Sequence, residues 1–320
     1  MTLGYLLGGG VGTEPHGVEL YKAYPVMRDL YDQVSGWTGL TVGQILEEEL
    51  PTALEERQST GTVREAALAM AVHDIFAEQG LRPDAIGGLS LGAMTAAALV
   101  GAVSREELFR MLVHSRHVPE PAPDAPRQGI ALAFVPAGAP ETDHPGHGHP
   151  DIHPSGDFGV TSDGSQRILM LSGLAAALEQ VAAAAPPGTV VPLPDRLIAV
   201  HSPLRQPYRD FMAPHIDAMT FATPRLPLLS CLEQRALASA DDVRDLFHRN
   251  ATDPISLVDV YTGMKGQGVD LAFVMGPSIP EGILDFPFPV VHVDKPEHIE
   301  QAVTTAYELG IDLTTPPATR

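Results

Sequence analysis

Ser90 sits at the centre of Gly88-Leu89-Ser90-Leu91-Gly92, between an apolar lead-in and an alanine-rich run. A Gly-x-Ser-x-Gly pentapeptide turns sharply from a strand into a helix and lifts the serine hydroxyl to the helix head. Glycine two positions either side lets the backbones approach closely. A serine so placed attacks an acyl carbonyl and carries the acyl group as an ester. Its hydroxyl is a poor nucleophile at neutral pH, so the chemistry demands a base, usually histidine. The chain has 13 histidines, so the setting must single one out. His201 follows Leu197-Ile198-Ala199-Val200 and precedes Ser202-Pro203-Leu204. That pattern predicts the end of a buried strand, just before a turn and a helix. A histidine packed at a strand end for purely structural reasons fits the same residues.

These residues need elements to position them. Residues 3–7 read as a short buried strand entering Gly8-Gly9-Gly10-Val11-Gly12, and a glycine cluster there suggests close backbone approach to a ligand. It is not a dinucleotide fingerprint, because no suitable helix follows directly and no acidic residue follows a second strand at the usual distance. Residues 21–30 and 63–79 read as amphipathic helices, 85–88 as the strand feeding the elbow, and 91–99 as the helix leaving it. Ser104, with Glu107 in the capping-box position, starts a helix over 105–113.

Composition then shifts to a proline-rich joint at 119–126. Strands are expected at 129–135, 158–161, 167–172 and 189–193, with a helix at 174–185. This order between two proline-rich joints predicts a small α+β lobe, residues 126–194, inserted into a large α/β domain of residues 1–125 and 195–320. Helix and strand then alternate again: helices at 207–219, 240–247 and 257–265, strands at 226–231 and 271–275.

The overall balance excludes several classes. At 320 residues, 44% of them hydrophobic, the chain can bury one large core plus a lobe, as a soluble globular protein does. A formal charge of −20 argues against nucleic acid and anionic membranes as partners, since both need cationic surfaces. One cysteine, Cys231, excludes an intrachain disulfide and fits a reducing cytoplasm. The apolar start has no basic n-region, against a signal peptide, and the Gly/Ala/Ser/Thr-dominated run at 86–103 fits a buried strand, elbow and helix better than a membrane span. His144, His147, His149 and His153 have a spacing that metals accept, but the interleaved prolines and glycines predict a mobile loop, and no metal site is expected.

The glycine loop, the elbow, the inserted lobe and Ala199-Val200-His201-Ser202-Pro203-Leu204 together resemble the acyl carrier protein acyltransferases. These are the malonyl-CoA:carrier-protein transacylases and the acyltransferases of polyketide synthases. Further matches follow in order: His248-Arg249-Asn250-Ala251-Thr252-Asp253-Pro254 resembles the family's Arg-Gln-x-x-x-Pro segment, and Val274-Met275-Gly276-Pro277 its Glu-x-Gly-Pro segment. The resemblance spans essentially the whole chain. It implies an α/β hydrolase-like core with a parallel sheet, a ferredoxin-like lobe, and the active site in the cleft between them.

The resemblance also implies roles. Ser90 is the nucleophile and His201 the base, oriented by the backbone carbonyl of Asn250. The oxyanion donors are the backbone N–H groups of Leu91 and Gly9, each contributing ~3–4 kcal/mol to the transition state. The substrates implied are acyl-CoA, or a carrier protein bearing 4′-phosphopantetheine, with no bound cofactor. An acidic carrier protein needs a local basic patch, for which Arg196, Arg205 and Arg209 around His201 are the candidates.

Three departures bear on the acyl group. Malonyl-type members pair an arginine with the extender's free carboxylate, and counting 25 residues from Ser90 lands on Ser115, with Arg116 one place further. One residue of slip rotates a helical side chain by ~100°, so Arg116 recovers the role only through a local bulge. Leu89 stands where the family has histidine, and Ile198-Ala199-Val200-His201 replaces its His-Ala-Phe-His or Tyr-Ala-Ser-His. Apolar groups replace polar or aromatic ones, and burying an unpaired carboxylate is costly. The expectation is a non-carboxylated acyl group, an amino- or peptidyl-acyl starter of polyketide synthesis being one such group. The rival expectations are a malonyl-CoA transacylase that recruits Arg116, an editing thioesterase, and a protein that only docks carriers.

Overall fold

Leu3 to Leu7 are all buried, and such a strand, with no solvent face, belongs in the middle of a parallel sheet. The computed structural model describes residues 1–10, 14, 16–140 and 142–311; Val11 and Gly12 of the glycine loop lie outside the described residues. Among the described residues the strands are β1 (Thr2–Leu7), β2 (Ala85–Gly88), β3 (Gln128–Pro136), β4 (Ile152–Val160), β5 (Gln166–Leu174), β6 (Val190–Leu193), β7 (Leu228–Leu229), β8 (Ala236–Leu237), β9 (Ile255–Ser256), β10 (Val269–Met275) and β11 (Val290–Val293). The helices are α1 (Val18–Ala23), α2 (Pro25–Thr38), α3 (Val42–Leu46), α4 (Leu54–Glu78), α5 (Leu91–Leu99), α6 (Arg105–His114), α7 (Ala175–Ala184), α8 (Gln206–Asp217), α9 (Ala240–Arg249), α10 (Leu257–Gly266) and α11 (Pro296–Glu308).

The large sheet runs β11-β10-β1-β2-β7-β8, and its pairs are parallel except the last. Leu7 stands opposite both Gly88 and Met275, so the loops after β1, β2 and β10 leave the sheet at one edge. That carboxyl edge is where open α/β sheets place their ligands. Around the sheet, the long helix α4 is largely enclosed, with Ala66, Ala67, Met70, Ala71 and Ile75 among its buried residues. It begins at Leu54, nine residues before the expected start, because Glu55, Ser59 and Thr60 are buried too and break the amphipathic pattern. The helix expected over 21–30 is two helices: Tyr24 is extended before Pro25, as a residue preceding proline prefers.

The second sheet runs β6-β3-β5-β4-β9 and carries α7 on one face over its own core of Ala131, Leu169, Leu171 and Leu178. Its first four strands are antiparallel and ordered as in a ferredoxin-like lobe, with loop residues 137–140 and 142–151 where the first helix would stand. The fifth strand comes from elsewhere: β9 pairs with β4 in parallel, so residues 255–256 tie the lobe to the large subdomain. No helix among the described residues is long and apolar enough to cross a membrane.

Candidate active site

Ser90 occupies the bend between β2 and α5 with φ 52° and ψ −116°, a conformation that strains any residue with a Cβ. The flanking glycines permit it. A Cβ on Gly88 would lie 2.5 Å from the carbonyl carbon of Gly92 and 2.8 Å from the carbonyl oxygen of Leu7. One on Gly92 would run into the carbonyl oxygens of Gly8 and Leu7. The bend is locked by hydrogen bonds from Leu89 N–H to Leu7 O, 3.0 Å, and from Gly92 N–H to Leu89 O, 2.7 Å. Beneath it lies Cys231, fully buried, whose thiol burial pushes up to about 12 despite the nearby N–H of Ser90.

His201 brings its Nε2 to 2.8 Å from Ser90 Oγ, across 111 residues of sequence. It too is left-handed, at φ 56°, and its backbone N–H is held by Ala251 O at 2.9 Å. The residue is 3% exposed. Burial lowers its pKa to about 4, while the backbone carbonyls of Asp253 and Asn250 favour the protonated ring and partly offset that effect. Nδ1 has no hydrogen-bond partner among the described residues. A ring kept neutral at physiological pH can take a proton from the serine hydroxyl.

The segment before His201 is not a strand. Ile198 and Ala199 are buried in an irregular stretch, and the polar backbone groups find partners outside any sheet. Ala199 N–H donates to Gln128 Oε1, Ser202 Oγ to Ala199 O, and Ser172 Oγ to Val200 O.

Gly9 packs on the elbow: a Cβ there would lie 2.8 Å from Leu89 O and 3.0 Å from Ser90 Cβ. Leu91 opens α5, so its N–H has no partner within the helix. The cleft between the lobe and the large sheet holds a cavity of about 500 Å³ around Ser90 and His201. Its walls include Met94, Met111 and Met212 from the large subdomain and Leu132, Phe158 and Met170 from the lobe. Leu89, Ser115, Ile198, Val200 and Asn250 line it as well, but Arg116 does not; that residue is exposed, on the outer side of the turn after α6. Ser115 is buried and donates to Leu112 O at 2.7 Å.

The three arginines near His201 have different surroundings. Arg196 stands half-buried at the cavity mouth, and Arg209 donates to Thr252 Oγ1 at 3.2 Å. Arg205, expected on a docking surface, instead turns inward: it lines the cavity and pairs with buried Glu55. The partner is what the sequence reading missed, since nothing local links residues 55 and 205. The histidine-rich loop is folded into turns. Successive turns close through His147 N–H to His144 O, 2.9 Å, and His149 N–H to Gly146 O, 3.2 Å, with the His144 ring buried. Among the described residues no three metal-capable side chains gather.

No family model matches the chain. It is 25% identical over 293 residues to a polyketide synthase of Streptomyces halstedii, a match covering 85% of this chain and 4% of that protein. It is 21% identical over 277 residues to the malonyl CoA-acyl carrier protein transacylase of Escherichia coli K12, covering 84% of this chain and 87% of the relative. Its fold superposes with a TM-score of 0.78, at 17% identity, on a type II polyketide synthase malonyl-transacylase solved in complex with its acyl-carrier protein, covering 95% of this chain and all of that one. The ordered match through elbow, lobe and His201 segment, with one architecture throughout, makes the chain similar in sequence and fold to the malonyl-CoA:carrier-protein transacylases and polyketide synthase acyltransferase domains.

Proposed function

We propose that this protein transfers a non-carboxylated acyl group from a thioester donor, through an ester on Ser90, to the phosphopantetheine thiol of an acyl carrier protein. The observation that carries the reading is the 2.8 Å contact between His201 Nε2 and Ser90 Oγ, made at a strained elbow facing a largely apolar cavity. Ser90 Oγ attacks the thioester carbonyl as its proton passes to His201 Nε2. The oxyanion is met by the N–H groups of Leu91 and Gly9. The C–S bond then breaks, and His201 returns the proton to the leaving thiolate. In the second half the carrier's thiol gives its proton to His201 and attacks the ester; the Oγ–C bond breaks, and His201 returns the proton to Ser90 Oγ.

A carrier protein partner is supported by the complex recorded for the malonyl-transacylase of like fold. Arg196 and Arg209 are the cations on offer to it, Arg205 being engaged by Glu55. The non-carboxylated specificity is supported by Ser115 at the clamp position and by Arg116 lying outside the cavity. An amino- or peptidyl-acyl unit would have to place its ammonium at the mouth, where Asp195 is the carboxylate among the lining residues. The single buried cysteine accords with a cytoplasmic setting.

Intact-mass detection of Ser90 acylation tests the reading, with a panel of acyl thioesters in the presence and absence of a carrier protein. Acyl-enzyme that discharges onto the carrier thiol supports transfer. Discharge only to water would identify an editing thioesterase, and a clear malonyl preference an ordinary malonyl transacylase.

A further inference from the structure

We propose that Glu55 is a specificity-determining residue: its carboxylate occupies the arginine in the cavity wall beside the missing clamp, so the cavity refuses dicarboxylic acyl units and takes neutral aliphatic chains. This rests on the acyl-transfer reading above. Arg205 lines the cavity, and its Nη1 and Nη2 donate to Glu55 Oε1 and Oε2 at 2.8 and 3.2 Å. The two side chains are 11% and 2% exposed, so solvent does little to screen the pair. The Tyr208 ring covers the guanidinium at 4.2 Å, and the Tyr208 hydroxyl lies against that of Ser115. Arginine, tyrosine and Ser115 therefore form one continuous stretch of cavity wall, at the position where the family pattern puts its carboxylate-binding arginine.

An arginine is thus present, but its fork is taken. Bidentate pairing is the geometry by which a guanidinium recognises a substrate carboxylate. Here an internal carboxylate satisfies it, reaching from the first turn of α4. A malonyl carboxylate at the same wall would meet a neutralised cation with an anion directly behind it, and would stay desolvated without a partner. Two other arginines line the cavity, Arg57 and Arg196, but Arg57 is exposed and Arg196 half-buried at the mouth, away from the deep wall. The remaining walls are rich in methionine: Met94, Met111, Met170 and Met212. Unbranched, flexible thioethers adapt to aliphatic chains of different shapes. At about 500 Å³ the space is of the size that takes a whole organic ligand.

The test is competition for Ser90 between octanoyl-CoA and malonyl-CoA at equal concentration, read by intact mass. Wild-type protein is expected to carry octanoyl in at least tenfold excess. Glu55→Gln keeps the shape but frees Arg205, and should raise the malonyl-to-octanoyl ratio at least tenfold. The double change Glu55→Gln with Arg205→Gln removes both charges and should restore the octanoyl excess. If Glu55→Gln does not fold, Glu55→Asp, which withdraws the carboxylate by one methylene, should raise the ratio at least threefold. A ratio within twofold of wild type in a folded, octanoylated variant overturns the proposal, as does a wild-type preference for malonyl. Failure of wild-type Ser90 to take any acyl group would instead remove the acyl-transfer reading itself, and this inference with it.

Discussion

Gly9 and Leu89 touch in a way that no larger residue would allow: a Cβ on Gly9 would stand 2.8 Å from the Leu89 carbonyl oxygen. The loop after β1 is thereby pressed onto the elbow after β2, and its backbone amide is brought beside the nucleophile. Gly9→Ala should push the loop off the elbow and lower the Ser90 acylation rate by 10²-fold or more through displacement of the proposed oxyanion donor. Single-turnover acylation of protein shown to be folded checks this; an unaffected rate would remove Gly9 from the oxyanion site.

Gly92→Ala is expected to act on the fold itself. Its Cβ would collide with two backbone carbonyls, Gly8 O and Leu7 O, which cannot rotate away as a side chain can. Overpacking of this kind costs about 1–3 kcal/mol or more. Denaturant unfolding should show the loss, and a variant as stable as the parent would contradict the packing described for the elbow.

His201 sets the pH dependence. Its folded-state pKa of about 4 lies below the ordinary value of 6.5, so the base stays neutral over the physiological range. Acylation should be flat with pH over that range and fall about tenfold per unit below about 4. The sign for stability follows from the same depression. Between the two values the unfolded chain binds more protons than the folded one, so stability rises with pH through that window and levels off above 6.5. The span corresponds to roughly 3 kcal/mol. His201→Gln should flatten this rise in urea titrations across pH, and should lower Ser90 acylation by at least 10³-fold.

Cys231 should be inert in the folded protein. Its thiol is buried and pushed up to about 12, so almost none is thiolate at neutral pH. Iodoacetamide labelling, followed by mass, is expected only after denaturation. Rapid labelling of native protein would mean that the space beneath the elbow opens to solvent.

Much of this was legible in the sequence wherever a local pattern carries a steric demand. The elbow is such a case: the glycines at 88 and 92 are where backbone meets backbone, and α5 spans Leu91–Leu99 as its alanine-rich run predicts. Periodicity located β3, β5 and α7 to within a residue or two. It failed for the apolar run before His201, because four apolar residues show that a segment is buried but not which partners its amides find. The two-residue β9 has no period to detect. The Glu55–Arg205 pair spans 150 residues, and no spacing rule connects its members. Apolar replacements at 89, 198 and 200 point to an altered pocket, but the charge buried behind its wall comes together only in the folded chain.

The strand β9 has a mechanical consequence. Residues 250–256 run continuously from the site of the general base to the edge of the lobe's sheet: Ala251 O holds His201 N–H, and Ile255 lies beside Gly156 of β4. From the other side, Ser172 of β5 grips Val200 O at 2.6 Å. The imidazole is thus suspended from the lobe at both flanks, whereas Ser90 is anchored in the large sheet. A rocking of the lobe that widened the cleft to admit an acyl chain would carry the imidazole away from the hydroxyl. The 2.8 Å proton path would then be complete only when the lobe sits closed over its cargo.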